Sequence, residues 1–140
     1  EWIEQYIQEN RMSQVRMMGQ LPHEEVLQLL AESQGLVMPA LWYEGQPMAI
    51  LESYAAGTPV LASNLGNAGA MVVPGETGLR FAPGDAEDLR RVVREAWKIN
   101  CWQTKETSEK LYSPVKNYEI QKLIYDHVGE QYECGRETCS

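Results

Sequence analysis

A chain of 140 residues with 44% hydrophobic and 23% charged side chains is sized for one globular domain with an ordinary core. Its net charge of −8 and pI near 4.8 exclude nucleic acid or an anionic membrane as the main partner, because both require a basic face. A phosphate-bearing ligand would have to be held by local groups.

In chain order, Trp2-Ile3 and Tyr6-Ile7 recur at helical spacing and predict an amphipathic helix over residues 1–10, already under way at the first residue. Chain upstream of it is therefore expected. Val15 to Met18 reads as a short apolar strand ending at Gly19, and a helix follows from Leu21-Pro22-His23 with Val26, Leu29 and Leu30 on one face. Leu36-Val37-Met38-Pro39 fits a strand buried on both faces. A helix starts at Pro47 and stops at Gly57, and Thr58 to Ala62 forms the next strand. Gly66 to Val73 is a short helix, Gly75 to Gly78 a turn, and Leu79-Arg80-Phe81 a strand. Asp85 caps a helix running through Leu89, Val92, Val93 and Ala96 to about Asn100. Residues 101–113 are polar and weakly patterned; a last helix spans about 114–129 with Tyr118, Leu123, Ile124 and Val128, and 130–140 is a tail.

Strands alternating with helices predict an α/β fold: a doubly wound, Rossmann-like parallel sheet with helices on both faces. In such sheets ligands sit outside the carboxyl ends of the strands, which directs attention to the turns after Met18, Met38 and Ala62. There is no apolar run of about 18 residues and no leader-like start, so the chain reads as cytosolic. Cys101, Cys134 and Cys139, with His127 and His23, fit neither a disulfide framework nor a paired metal site, and no metal is expected.

The chemistry concentrates in Leu41-Trp42-Tyr43-Glu44-Gly45-Gln46-Pro47-Met48-Ala49-Ile50-Leu51-Glu52. Free N–H groups at a helix start, reinforced by the helix dipole, form an anion site, and Gly45 admits a ligand close to the backbone. Glu52 lies about 8 Å further along the axis at ~1.5 Å per residue, an offset that suits a ribose joined to a diphosphate at the helix start. A carboxylate accepts two hydrogen bonds from a vicinal diol. Glu44 then faces the group that the diphosphate carries. The plainer reading stays open: Glu44 a solvated loop residue and Glu52 on the polar face of an amphipathic helix. Trp42 and Tyr43 read as wall packing ahead of stacking on a base or sugar, Met17, Met18 and Met38 as core filling, and His23 as a surface residue in the first helical turn ahead of a phosphate contact.

Glu44 and Glu52, followed by Ala55-Ala56-Gly57-Thr58-Pro59-Val60, resemble the E-x7-E signature of the group 1 retaining glycosyltransferases of GT-B fold. Val15 to Gly19, Pro74 to Leu79, Pro83-Gly84-Asp85, Tyr112-Ser113-Pro114, Asn117-Tyr118 and Ile124-Tyr125 follow that family's order, so the resemblance covers residues 1 to 129. It implies the C-terminal, donor-binding domain of such an enzyme without its first strands. It implies that Glu44 contacts the donor sugar in the catalytic step, that Gly45-Gln46-Pro47-Met48-Ala49 holds the diphosphate, and that Glu52 binds the ribose. Gly19-Gln20-Leu21 would lie against the base, with Leu65-Gly66-Asn67 also facing the pocket. The implied co-substrate is a nucleoside diphosphate sugar, with no cofactor and no metal. The acceptor, a glycan, lipid or small molecule, would meet an absent N-terminal domain, and the location would be cytoplasmic, with the full-length enzyme compatible with a peripheral place at a membrane.

Three departures from the family pattern stand out. Gln46 replaces a frequent Phe, Gly69 or Ala70 stands where relatives carry Glu, and the Arg and Lys that neutralise the diphosphate belong to chain upstream of Glu1. Without those cations, weak donor binding and negligible turnover are expected. Two alternatives compete: a sugar-nucleotide epimerase of the same architecture, and a non-catalytic nucleotide-sugar-binding or scaffold module. A nicotinamide enzyme is disfavoured because no G-x-G-x-x-G follows a predicted strand.

Overall fold

The computed structural model of the chain describes residues 2–99, 101–123 and 125. Its elements run α1 (Trp2–Glu9), α2 (His23–Glu32), β1 (Leu36–Met38), α3 (Met48–Ala56), β2 (Val60–Ser63), α4 (Gly66–Met71), β3 (Gly78–Phe81), α5 (Ala86–Ala96) and α6 (Thr104–Tyr112). Residues 114–123 are helical as well. The strands form a parallel sheet in the order β1-β2-β3, with Leu36 opposite Val60 and Val60 opposite Gly78.

Alternation along β2 divides the core in two. Val60 and Ala62 pack with Ile50 and Tyr54 of α3 and with Ala68 and Val72, whereas Leu61 joins Leu79, Phe81 and Val92 of α5 on the opposite face. All four β2 residues are buried, as expected of a central strand covered on both sides. Gly78 lets β3 approach closely: a Cβ there would stand 1.8 Å from the Val60 carbonyl oxygen.

Helix α3 is the hub. It touches β2 on one side and α2 and α6 on the others, which explains a sequence apolar nearly all round. Gly57 ends it in the left-handed conformation at φ 89°, its N–H meeting the Ser53 and Tyr54 carbonyls. The Tyr54 ring is fully buried; its hydroxyl donates to the Met71 carbonyl at 3.0 Å and shares a hydrogen bond with Thr77 Oγ1 at 2.9 Å. At the start of α5, Asp85 accepts from the Glu87 and Asp88 amides, as the sequence predicts.

Several expectations need correction. Val15 to Met18 is not a strand: these residues are exposed and have no strand beside them, and a strand without a ladder leaves its backbone groups to solvent. Met17 and Met18 are accordingly exposed and fill no core, although Met38 does pack against it. Strand β1 lies at the sheet edge, so Val37 is 41% exposed where burial on both faces was expected. On α2 the inward residues are Val26, Leu27 and Leu30, while Leu29 is exposed. The polar stretch after residue 100 contains α6, which the sequence pattern missed. Its buried face consists of Thr104, half-buried Thr107 and Ser108, and Tyr112, whose ring lies 6.4 Å from that of Tyr54. Expectations for Ile124, His127, Val128, Cys134, Cys139 and the tail 130–140 lie outside the described residues.

Candidate functional site

The carboxyl ends of β1 and β2 release two turns that meet in space. After β1, residues 39–47 lead to α3, whose start is capped by no side chain: Pro47 precedes it at φ −70°, ψ 100°, and its carbonyl takes the Ile50 amide at 3.1 Å. The first turn of α3 holds no acidic residue, so the helix dipole meets no internal counter-charge there. Gly45 and Gln46 are exposed, Pro47 is buried, Met48 is exposed and Ala49 half-buried. Glu44 is half-buried one residue before Gly45.

The start of α4 after β2, its cap residue Leu65 with Gly66 and Asn67, comes against this loop. Asn67 Nδ2 donates to the Gly45 carbonyl, and Gly66 sits at φ 51° with the Tyr43 ring where a Cβ would lie, 2.7 Å from Tyr43 Cδ1. That contact is Tyr43's share of packing. The ring is otherwise 78% exposed, and Trp42 beside it is 65% exposed, so neither builds the wall that the sequence pattern favoured. Leu41 and Met48 are exposed apolar residues of the same segment.

Glu52 is the one charged residue of α3. Its side chain is 26% exposed, and Oε1 lies 3.7 Å from Nδ1 of His23, the first residue of α2. The rest of α3 carries no charge, so Glu52 stands on no broad polar face. The Gly19-Gln20-Leu21 turn ends two residues before His23; Gly19 has φ 65° and open space around it. His23, at the start of α2, thus faces a carboxylate one turn inside α3, a relation that neither the surface nor the phosphate reading captured. Sequence reasoning also passed over Ser63, at the carboxyl end of β2, whose fully buried Oγ has no hydrogen-bond partner among the described residues.

A groove of about 660 Å³ opens elsewhere, against the amino ends of β1 and β2. Val37, Leu61, Val93, Trp97 and Trp102 line it without any titratable side chain, a surface suited to apolar contact and ill suited to a sugar or a phosphate. Among the described residues, no three His, Cys, Asp or Glu side chains converge as a metal site would require, and no helix is long and apolar enough to cross a membrane.

Comparison with known proteins bears on this geometry. Residues 1–117 match the family model described as glycosyl transferases group 1. The chain belongs to this family. Group 1 membership accounts for the GT-B-type α/β fold. A glycogen synthase from Mycobacterium tuberculosis is 37% identical over 95 residues, which span 67% of this chain and 23% of that protein. A sucrose-phosphate synthase from Thermosynechococcus elongatus superposes with a TM-score of 0.71 at 28% identity over 95% of this chain and 34% of that one. The apo form of the lipopolysaccharide outer core galactosyltransferase WaaB shares the fold, with a TM-score of 0.73 at 21% identity over 89% of this chain and 37% of that one. The chain therefore spans about a quarter of the length of the curated glycogen synthase and about a third of each solved relative.

Proposed function

We propose that this chain is the donor-binding part of a retaining glycosyltransferase that transfers a sugar from a nucleoside diphosphate sugar to an acceptor hydroxyl. The observation that carries the reading is the uncapped start of α3, with one carboxylate just before it and a second, the helix's lone charge, one turn inside. The amides from Gln46 to Ala49 that remain free, those of Gln46, Met48 and Ala49, hold the diphosphate, and the dipole of α3 offsets its charge in a chain of net charge −8. Glu52 accepts the ribose hydroxyls, Gly19-Gln20-Leu21 borders the base, and Glu44 contacts the donor sugar. No metal is needed in this scheme.

In the reaction the bond from the anomeric carbon to the phosphate oxygen breaks, and its electron pair leaves with the diphosphate. The acceptor oxygen bonds to the same face of that carbon, and its proton passes to the departing phosphate. Glu44 stabilises the positive charge on the sugar ring as that bond stretches and acts as no nucleophile. The rest of the longer enzyme supplies the acceptor site and the cations that neutralise the leaving group, so this chain alone turns over negligibly. The full enzyme works in the cytoplasm.

Chemical-shift mapping with UDP, ADP and GDP at millimolar concentration tests the donor site. Shifts confined to the Gly19 turn and residues 44–52 are expected with at least one of them. The Glu52→Ala variant should bind that nucleotide about 1–3 kcal/mol more weakly, from the loss of charged hydrogen bonds. Glu44→Ala should leave free nucleotide binding unchanged and abolish transfer in the full-length enzyme. No response in the wild type around residues 44–52 would point to a scaffold module instead.

A further inference from the structure

Asn67 combines two features that place it apart from a simple ligand contact. Its side-chain amide is already committed, Nδ2 donating to the Gly45 carbonyl across 22 residues of sequence. Its neighbour Gly66 occupies the left-handed region at φ 51° and presents a bare Cα to the Tyr43 ring, where a Cβ would meet Cδ1 at 2.7 Å. The start of α4 thus grips the loop on both sides of Glu44: the ring of Tyr43 rests on Gly66, and the carbonyl of Gly45 is held by Asn67.

We propose that Asn67, with Gly66 and Tyr43, is a latch that positions the Glu44-to-Ala49 loop before any donor arrives. Asn67 is a positioning residue, in place of the direct donor contact that family resemblance implies. The physical reason lies in the loop. Gly45 is exposed, and a Cβ built on it would meet nothing within 4 Å, so its own side of the chain offers no packing to fix the Gly45–Gln46 peptide. A loop that must aim several N–H groups at one diphosphate loses affinity when those groups are free to turn, because ordering them then draws on the binding energy. The bond to the Gly45 carbonyl sets the orientation of the Gly45–Gln46 peptide plane, and with it the direction of the Gln46 N–H. The Tyr43 ring, wedged on Gly66, holds the other flank of Glu44. This inference rests on the donor-site reading proposed above for the purpose the latch serves, while the latch itself is a property of the free chain.

Backbone 15N relaxation of the free 140-residue chain tests the latch without any ligand. In Asn67→Ala, and in the equally sized Asn67→Asp, which cannot donate when ionised, the order parameters of Gly45, Gln46, Met48 and Ala49 should fall from the rigid range near ~0.85 toward ~0.6. Those of Leu51 to Tyr54 should stay as in the wild type. Asn67→Ala should then weaken ADP, UDP or GDP, whichever binds, and inorganic pyrophosphate by the same factor, about threefold to tenfold, the scale of one lost hydrogen bond. Unchanged order parameters in both variants would overturn the latch. A loosened loop that binds diphosphate at wild-type affinity would overturn the positioning role. A wild-type loop that tightens through Asn67 yet binds neither pyrophosphate nor any of the three nucleotides would leave the latch standing and overturn the donor-site reading instead.

Discussion

Replacing Tyr54 by Phe should change how stability depends on pH more than it changes stability at neutrality. The ring is fully buried between α3, α4 and the turn before β3, and burial pushes its hydroxyl up to about 12, with the hydrogen bond from Thr77 opposing the rise. The unfolded chain releases this proton near ~10. The folded state therefore holds a proton that the unfolded state has lost between those two values. The stability tied to the neutral phenol is complete below pH 10 and is lost as pH rises toward 12. At about 1.4 kcal/mol per pH unit, two units correspond to on the order of 2–3 kcal/mol. Tyr54→Phe removes that dependence along with the bond to the Met71 carbonyl, whose loss costs about 1 kcal/mol at pH 7. Urea unfolding followed by tryptophan fluorescence at half-unit steps from pH 7 to 11.5 measures both. All other titrating groups are common to the two proteins, so the difference between the curves isolates Tyr54. The variant should start about 1 kcal/mol below the wild type and match or exceed it above pH 11. Parallel curves across the whole range would refute the assignment of a buried, proton-holding Tyr54.

Three further substitutions probe how the scaffold of the site is held. Asp85→Ala removes the oxygen that accepts from the Glu87 and Asp88 amides and should cost about 1 kcal/mol in urea, with Asp85→Asn recovering most of it. Ile50→Ala empties a fully buried position where α3 meets β2 and should cost about 2–5 kcal/mol, read as a lower urea midpoint at unchanged slope. Gly78→Ala forces a Cβ against the Val60 carbonyl at 1.8 Å, with rigid backbone on both sides. It should cost 3 kcal/mol or more by separating β2 from β3, about the upper end for overpacking, seen as lost amide protection in Val60 to Ser63.

Much of the architecture was legible in the order of residues because it depends on local rules. Pro47 ahead of α3, Gly57 behind it and Asp85 ahead of α5 each mark a boundary through the chemistry of a single residue, and the structure places them there. The apolar run at Val60 identified a strand, but only the structure makes it the middle of three, covered on both faces. Helix α6 escaped because its buried side consists of hydroxyls and one tyrosine, and because the stem of Lys105 lies over Gly57 where an apolar side chain would have given the usual signal. The Val15 to Met18 segment misled for the opposite reason: apolar composition favours a strand only where a neighbouring strand supplies the ladder.

For the site the same division holds. The sequence by itself determined the chemical groups and their spacing along one helix: an acid, a glycine, an uncapped helix start and a second acid, because the rise per residue of a helix converts spacing into distance. The lone charge in Met48–Ala56 was also readable there. Only the tertiary structure decided which distant residues share that place. His23 beside Glu52, Asn67 on the Gly45 carbonyl and the Tyr43 ring on Gly66 join segments 22 to 29 residues apart. Such contacts arise from the crossing of α2 over α3 and from parallel strands that bring successive turns to one sheet edge, and no periodicity within a segment encodes them.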